Sequence, residues 1–176
     1  PDAGGLAWAR EHSLATAVVD HRPYAQQANP REAFEAELIQ HIDTQRPVLV
    51  LLAGFMRILT PGFVSHYAGR MLNIHPSLLP AFPGLDTHAR ALAAGVKLHG
   101  CTVHLVTEGM DEGPILAQAA VPVLSTDTED SLSARVLKQE HVIYPRAVKW
   151  FVEEALDMHN GLVRHKDGAS QLVMGD

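Results

Sequence analysis

Asn73, His75 and Asp111 bring together an amide, an imidazole and a carboxylate. Acyl-type transfer to an amine needs that set. An amide N–H can hold a developing oxyanion, an imidazole can manage protons, and a carboxylate beside the imidazole favours its charged form. The first two lie in Leu72-Asn73-Ile74-His75-Pro76-Ser77-Leu78-Leu79-Pro80-Ala81-Phe82-Pro83-Gly84-Leu85, and the third in Thr107-Glu108-Gly109-Met110-Asp111-Glu112-Gly113-Pro114, with His104 between them. Asn73 and His75 are two apart, so on an extended chain their side chains share a face. Plainer readings stand beside these. A strand-end Asn caps a turn, Asp beside Gly is a common turn residue, and His104 serves equally well as a satisfied core histidine. Pro76, Pro80, Pro83 and Gly84 tilt the balance, because rigid loops that carry polar groups tend to be sites.

The surrounding pattern supplies elements to hold these groups. Gly4 to Glu11 reads as a helix already under way, and Ala15–Val19 as a short strand. Asn29-Pro30-Arg31-Glu32 starts a helix whose apolar face is Phe34, Leu38, Ile39 and Ile42. Val48–Ala53 is a continuous apolar run, as expected of a central strand buried on both faces. Gly54–Leu59 is a loop at its end, Thr60-Pro61 opens a short helix, and Met71–His75 is the next strand. Thr87–Ala94 is helical, Thr102–Val106 and Ile115–Val123 are strands, the latter antiparallel, and Asp127-Thr128-Glu129 opens a long helix bent or interrupted at Pro145. Turns follow at Asn160-Gly161 and Asp167-Gly168. The expected fold is α/β. A mostly parallel, Rossmann-like sheet is flanked by helices, with an antiparallel extension near the C-terminus and no N-terminal strand. Residues 1–176 read as a single domain. Ligands of such sheets bind outside the carboxyl ends of the strands, where both loops open.

The totals narrow the function classes. A formal charge of −6 argues against a nucleic-acid surface. No apolar run reaches the ~18 residues of a membrane span. Cys101 is the single cysteine, so no internal disulfide forms, which fits a reducing, cytoplasmic setting. The eleven histidines are scattered without HExxH or Cys-x-x-Cys spacing, so no metal site is expected. Cys101 lacks an activating pattern and Ser77 is not in a nucleophile elbow. Arg31 and Arg57 are candidates for an anionic ligand, and equally for surface ion pairs. Glu140, on the long helix, means little alone.

The residues Leu52-Ala53-Gly54-Phe55-Met56-Arg57-Ile58-Leu59, Asn73-Ile74-His75-Pro76-Ser77-Leu78-Leu79-Pro80, Pro83-Gly84-Leu85-Asp86-Thr87-His88, His99–Thr107 and Asp111-Glu112-Gly113-Pro114, in that order, resemble the phosphoribosylglycinamide formyltransferases. The likeness runs from about residue 1 to residue 160. It implies transfer of a formyl group from 10-formyltetrahydrofolate, as cosubstrate, to the amine of glycinamide ribonucleotide, with no metal and no covalent intermediate. It places catalysis on Asn73, His75 and Asp111. The folate site falls on Arg31, Met56, Arg57, Ile58, Leu59, Val64, Asn73 and Thr107. The contact to the substrate amine falls on Glu140, and the strand histidine beside the site on His104. No nucleic-acid or membrane partner is implied, and the oligomeric state, monomer or homodimer, stays open.

One departure stands out. The family begins with a strand and a Gly-Ser-Asn type loop that holds the substrate phosphate at a helix N-terminus. Nothing before Gly4-Gly5 matches it, so the chain is expected to be N-terminally truncated relative to the family. Two relatives of the same superfamily compete. Formyltetrahydrofolate hydrolase typically carries a second His where this chain has Pro76. Methionyl-tRNA formyltransferase typically has Arg-Gly at Pro83-Gly84 and a basic C-terminal domain. A catalytically silent folate- or nucleotide-binding module is the rival from another class.

Overall fold

Apolar segments between Val50 and Met174 pair into a five-stranded sheet in the computed structural model, which describes residues 3–175. Residues group into two compact units. One comprises residues up to Val48 together with Leu59–His66, and the other Leu49–Ile58 together with residues from Tyr67 on.

The second unit holds the sheet. Strands β1 (Val50–Leu52), β2 (Met71–His75), β3 (Leu98–Leu105), β4 (Ile115–Pro122) and β7 (Leu172–Met174) lie in that order. β1 and β2 are parallel, as are β4 and β7, while β3 is antiparallel to both its neighbours. Four of the five strands therefore run the same way and β3 alone is reversed. The expected α/β layering with mostly parallel strands holds, and the reversal sits in the middle of the sheet. A separate hairpin pairs β5 (Leu156–His159) with β6 (Leu162–His165). Its turn is Asn160-Gly161, with φ of 51° and 76°. That left-handed pair matches the right-handed twist of a two-residue hairpin, which is why this dipeptide was legible as a turn.

Two helices of this unit are α4 (Thr87–Ala94) and α5 (Glu129–Val152). Thr128 caps α5 by accepting from Ser131 N, and Ser131 returns the bond to Thr128 N. Asp127 adds a bidentate pair with Arg135. Leu132, Val136, Ile143, Ala147 and Trp150 form the buried stripe of α5. They pack with Leu72, Cys101, Val103, Leu116, Ala119 and Val121 of the strands. α5 is continuous through Pro145, where a bend or an interruption was expected, so it is not interrupted there. A proline forfeits one backbone bond of the helix, and the buried Ile143 and Ala147 on either side hold the segment in place.

The first unit contains helices α1 (Gly4–Glu11), α2 (Pro30–Asp43) and α3 (Pro61–His66). Asn29 precedes α2 as expected, although its side chain makes no capping bond. Glu35 is buried here, a carboxylate that the apolar pattern did not mark. It accepts from the backbone N–H and the hydroxyl of Thr60, the residue before α3, which satisfies both its charge and the helix start.

Two sequence expectations need correction. Ala15–Val19 is irregular and largely exposed, because its backbone finds no ladder partner among the described strands and β-propensity without pairing makes no strand. Val48–Ala53 shortens to Val50–Leu52 and is not buried on both faces. Among the described residues β1 is an edge strand, with Val48 77% and Leu51 46% exposed.

Candidate active site

β2 delivers the first two polar groups. Asn73 and His75 alternate onto one face of the strand, opposite His104 and Thr102 of β3. A register shift between Val103 and His104 interrupts the β3–β4 ladder at this point. Such bulges re-aim a side chain. Val106 N–H donates to Met71 O, and Leu105 N–H to Pro114 O, so the loop from Thr107 to Gly113 is closed at its base. Gly113 is required there, since a Cβ would sit 1.7 Å from Leu105 O. The loop turns Asp111 back over the strands in a left-handed conformation, φ 56°. Backbone held that way in a non-glycine residue is stored strain of the kind found at functional sites.

These elements bring together Asn73, His75, His104 and Asp111. Asp111 Oδ2 lies 3.4 Å from His75 Nδ1 and Asp111 Oδ1 3.7 Å from His104 Nε2. Gly84 N–H donates to Asp111 Oδ2 at 2.9 Å. His75 and His104 are almost wholly buried, while Asp111 keeps a small exposed fraction.

The hydrogen bonds fix the protons. His104 Nδ1 contacts Leu105 O at 2.9 Å, and a carbonyl only accepts, so Nδ1 carries the hydrogen. Burial pulls the His104 pKa down, against the pull of Leu105 O and Asp111. The ring is therefore neutral and its Nε2 is a lone pair. That lone pair accepts from Asn73 Nδ2 at 3.3 Å, which orients the amide. His75 donates from Nε2 to Phe82 O at 3.0 Å and turns Nδ1 to the Asp111 carboxylate. The 3.4 Å separation exceeds the ~2.7–2.9 Å of a closed charge-assisted bond.

A layer of hydrogen bonds holds the proline-rich loop that supplies Phe82 O and Gly84 N. Thr102 Oγ1 donates to Ser77 O and accepts from Leu79 N, and Gln118 Nε2 donates to Leu79 O. Ser77 Oγ donates to Ala81 O, Thr87 Oγ1 to Pro76 O, and Arg90 to Pro83 O and Leu85 O. Phe82, Thr102 and Gln118 were not marked for these roles by sequence, and Gly84 was marked only as part of a rigid loop. Two act through backbone atoms, which have no side-chain signature, and the prolines and Gly84 were the only sign of a fixed loop.

The remaining candidates fall in several places. Glu140 on α5 is half-buried. Burial raises its carboxyl pKa, while His141 and His75 pull the other way, so it lies within electrostatic reach of His75. Met56 and Ile58 are 80% and 62% exposed on the loop after β1, and Arg57 and Thr107 are exposed as well. Arg31, Leu59 and Val64 belong to the first unit, where Arg31 is exposed on α2 and Val64 is buried in α3. Cys101 is buried in β3, and burial, with Glu140 nearby, pushes its thiol up to about 12, so it is no nucleophile. Among the described residues no three His, Cys, Asp or Glu side chains gather as metal ligands do.

The sequence model of the formyl transferase family matches residues 1–148. The phosphoribosylglycinamide formyltransferase of Escherichia coli strain K12 is 54% identical over 158 residues, covering 90% of this chain and 73% of that protein. The trifunctional purine biosynthetic protein adenosine-3 of Drosophila melanogaster is 47% identical over 152 residues, 86% of this chain but 11% of that protein. The crystal structure of phosphoribosylglycinamide formyltransferase from Anaplasma phagocytophilum superimposes with a TM-score of 0.89 at 38% identity, covering 99% of this chain and 82% of that one.

Proposed function

The chain belongs to the formyl transferase family, and on that premise we propose that it transfers a formyl group from 10-formyltetrahydrofolate to the amine of glycinamide ribonucleotide. The observation that carries this reading is the convergence of Asn73, His75 and Asp111, from a strand and a loop far apart in sequence, on one buried spot.

The neutral amine attacks the formyl carbon, forming a C–N bond and a tetrahedral centre with an oxyanion. Asn73 has two N–H groups. One is committed to His104 Nε2, which leaves the other for the oxyanion, already oriented before the charge develops. His75, as imidazolium, adds positive charge beside the same oxygen. Asp111 supports that charge and is itself fixed by Gly84 N–H. Collapse breaks the bond between the carbon and N10 of the folate. The proton lost by the amine must reach N10, and the loose His75–Asp111 pair is placed to pass it. Glu140 orients the amine. Met56, Ile58 and Thr107, exposed on loops that follow β1 and β3, contact the folate.

The test is acceptor dependence. Folate absorbance is followed with 10-formyltetrahydrofolate alone and after adding the ribonucleotide. Turnover is expected only with the ribonucleotide. Equal turnover without an amine would make the protein a hydrolase. Folate binding with no turnover under either condition would make it a binding module.

A further inference from the structure

We propose that Tyr144 is a positioning residue that sets the folate loop against the catalytic strand. Its hydroxyl, on α5, donates to Leu52 O at 2.8 Å and lies 3.1 Å from Leu72 O, so one hydrogen is shared between β1 and β2. Leu52 is the last residue of β1 and leads directly into the loop that bears Met56 and Ile58. Leu72 immediately precedes Asn73. Glu140 is four residues before Tyr144, one turn away on the same helix face. A single side chain thus joins the strand that feeds the folate loop, the strand that carries Asn73 and His75, and the helix that carries Glu140.

The need for such a tie follows from the sheet. β2 is paired on both sides and is held by β1 and β3. β1 is three residues long and pairs only with β2 among the described residues. Within the described residues its C-terminal end is held by three ladder positions and by Tyr144. Burial raises the phenol pKa well above its ordinary value, which keeps the hydroxyl a donor. Removing it takes from Leu52 O the donor it has besides the β1–β2 ladder, in a partly buried place. The inference rests on the folate reading of the loop given above.

The experiment compares Tyr144→Phe, which keeps the ring, with Val136→Ala, a cavity on the buried stripe of the same helix two turns from Tyr144. Steady-state formyl transfer by the full-length protein gives kcat and the KM of each substrate, and thermal unfolding gives Tm. The KM for 10-formyltetrahydrofolate is expected to rise about fivefold in Tyr144→Phe, the worth of one modest hydrogen bond, with kcat and the ribonucleotide KM changed less. Val136→Ala should lower Tm at least as much without that rise. Hydrogen exchange supplies a readout independent of activity. Tyr144→Phe should speed exchange at residues 50–58 and leave β3 and β4 unchanged. An unchanged folate KM, an equal rise in Val136→Ala, or unaltered exchange at 50–58 would overturn the proposal. Absence of transfer by the unmutated protein would defeat the functional reading instead, and the exchange result would still decide the tie.

Discussion

Asn73, His75 and His104 stand on strands paired on both sides, and each of their side chains has a hydrogen-bond partner. Met56 and Ile58, on the loop after β1, are largely exposed and follow a strand that pairs on one side among the described residues. Both regions were marked for function by the same sequence reading, yet they are built in opposite ways. Groups that must meet a charge developing on one oxygen have to be fixed in advance, because reorganising them during the reaction would cost what they contribute. Groups that bind by apolar contact need area more than fixed direction, and an exposed methionine supplies adaptable area. The first region should therefore govern kcat, and the second the KM for folate.

Substitutions can break that division or sharpen it. The largest effect is expected from His75→Ala and Asp111→Ala. Turnover should fall about a hundred- to ten-thousandfold while equilibrium binding of a folate analogue is largely retained; parallel loss of binding would make both residues structural. Asn73→Ala should cost about a hundred- to a thousandfold in kcat, as loss of one preorganised oxyanion donor does, measured by single-turnover formyl transfer. Met56→Ala or Ile58→Ala should raise the folate KM about tenfold with kcat nearly unchanged. A fall in kcat there would erase the contrast between the regions.

Gly113→Ala sharpens it from another side. The added Cβ meets Leu105 O, so the loop must shift, and overpacking of this kind costs about 1–3 kcal/mol. kcat should drop with the unfolding midpoint only modestly lowered, because the loop carries Asp111 and little of the core.

The smallest effect is on stability and depends on pH. His99 is buried with its Nε2 3.2 Å from His88 Nδ1. Burial first, and then the neighbouring His88, lower its pKa to about 4, against about 6.5 for an unfolded histidine. Between those values the unfolded chain binds the extra proton. The contribution is therefore fully present above pH ~6.5 and is lost as pH falls toward 4. The denaturation midpoint should drop on acidification over that window, and less so in His99→Gln.

Much of this was legible where local chemistry dictates structure. Asn29-Pro30, Thr128 before α5 and Asn160-Gly161 each announce a helix start or a turn by their own stereochemistry. Asn73 and His75 were legible as one face because strands alternate. What escaped depends on pairing across the chain. Ala15–Val19 has strand-forming residues but no ladder partner among the described residues, and the apolar run at Val48–Ala53 looks the same at an edge as at the centre of a sheet. The reversal of β3 is a property of topology. Phe82 O and Gly84 N, which hold His75 and Asp111, are backbone atoms that no residue type advertises. His104 could be read as core or as site. It is buried, with burial drawing its pKa down, and bonded to Asn73, so its two readings describe one role.

The most direct test follows the carbon itself. With 10-formyltetrahydrofolate labelled with carbon-13 in the formyl group, NMR of the full-length protein's reaction with glycinamide ribonucleotide should show the label as a formyl amide on the ribonucleotide. It should be formed stoichiometrically with free tetrahydrofolate and be absent with His75→Ala on the same timescale. Label recovered as free formate, or an amide formed equally fast by His75→Ala, would contradict the assignment of amine transfer to this site.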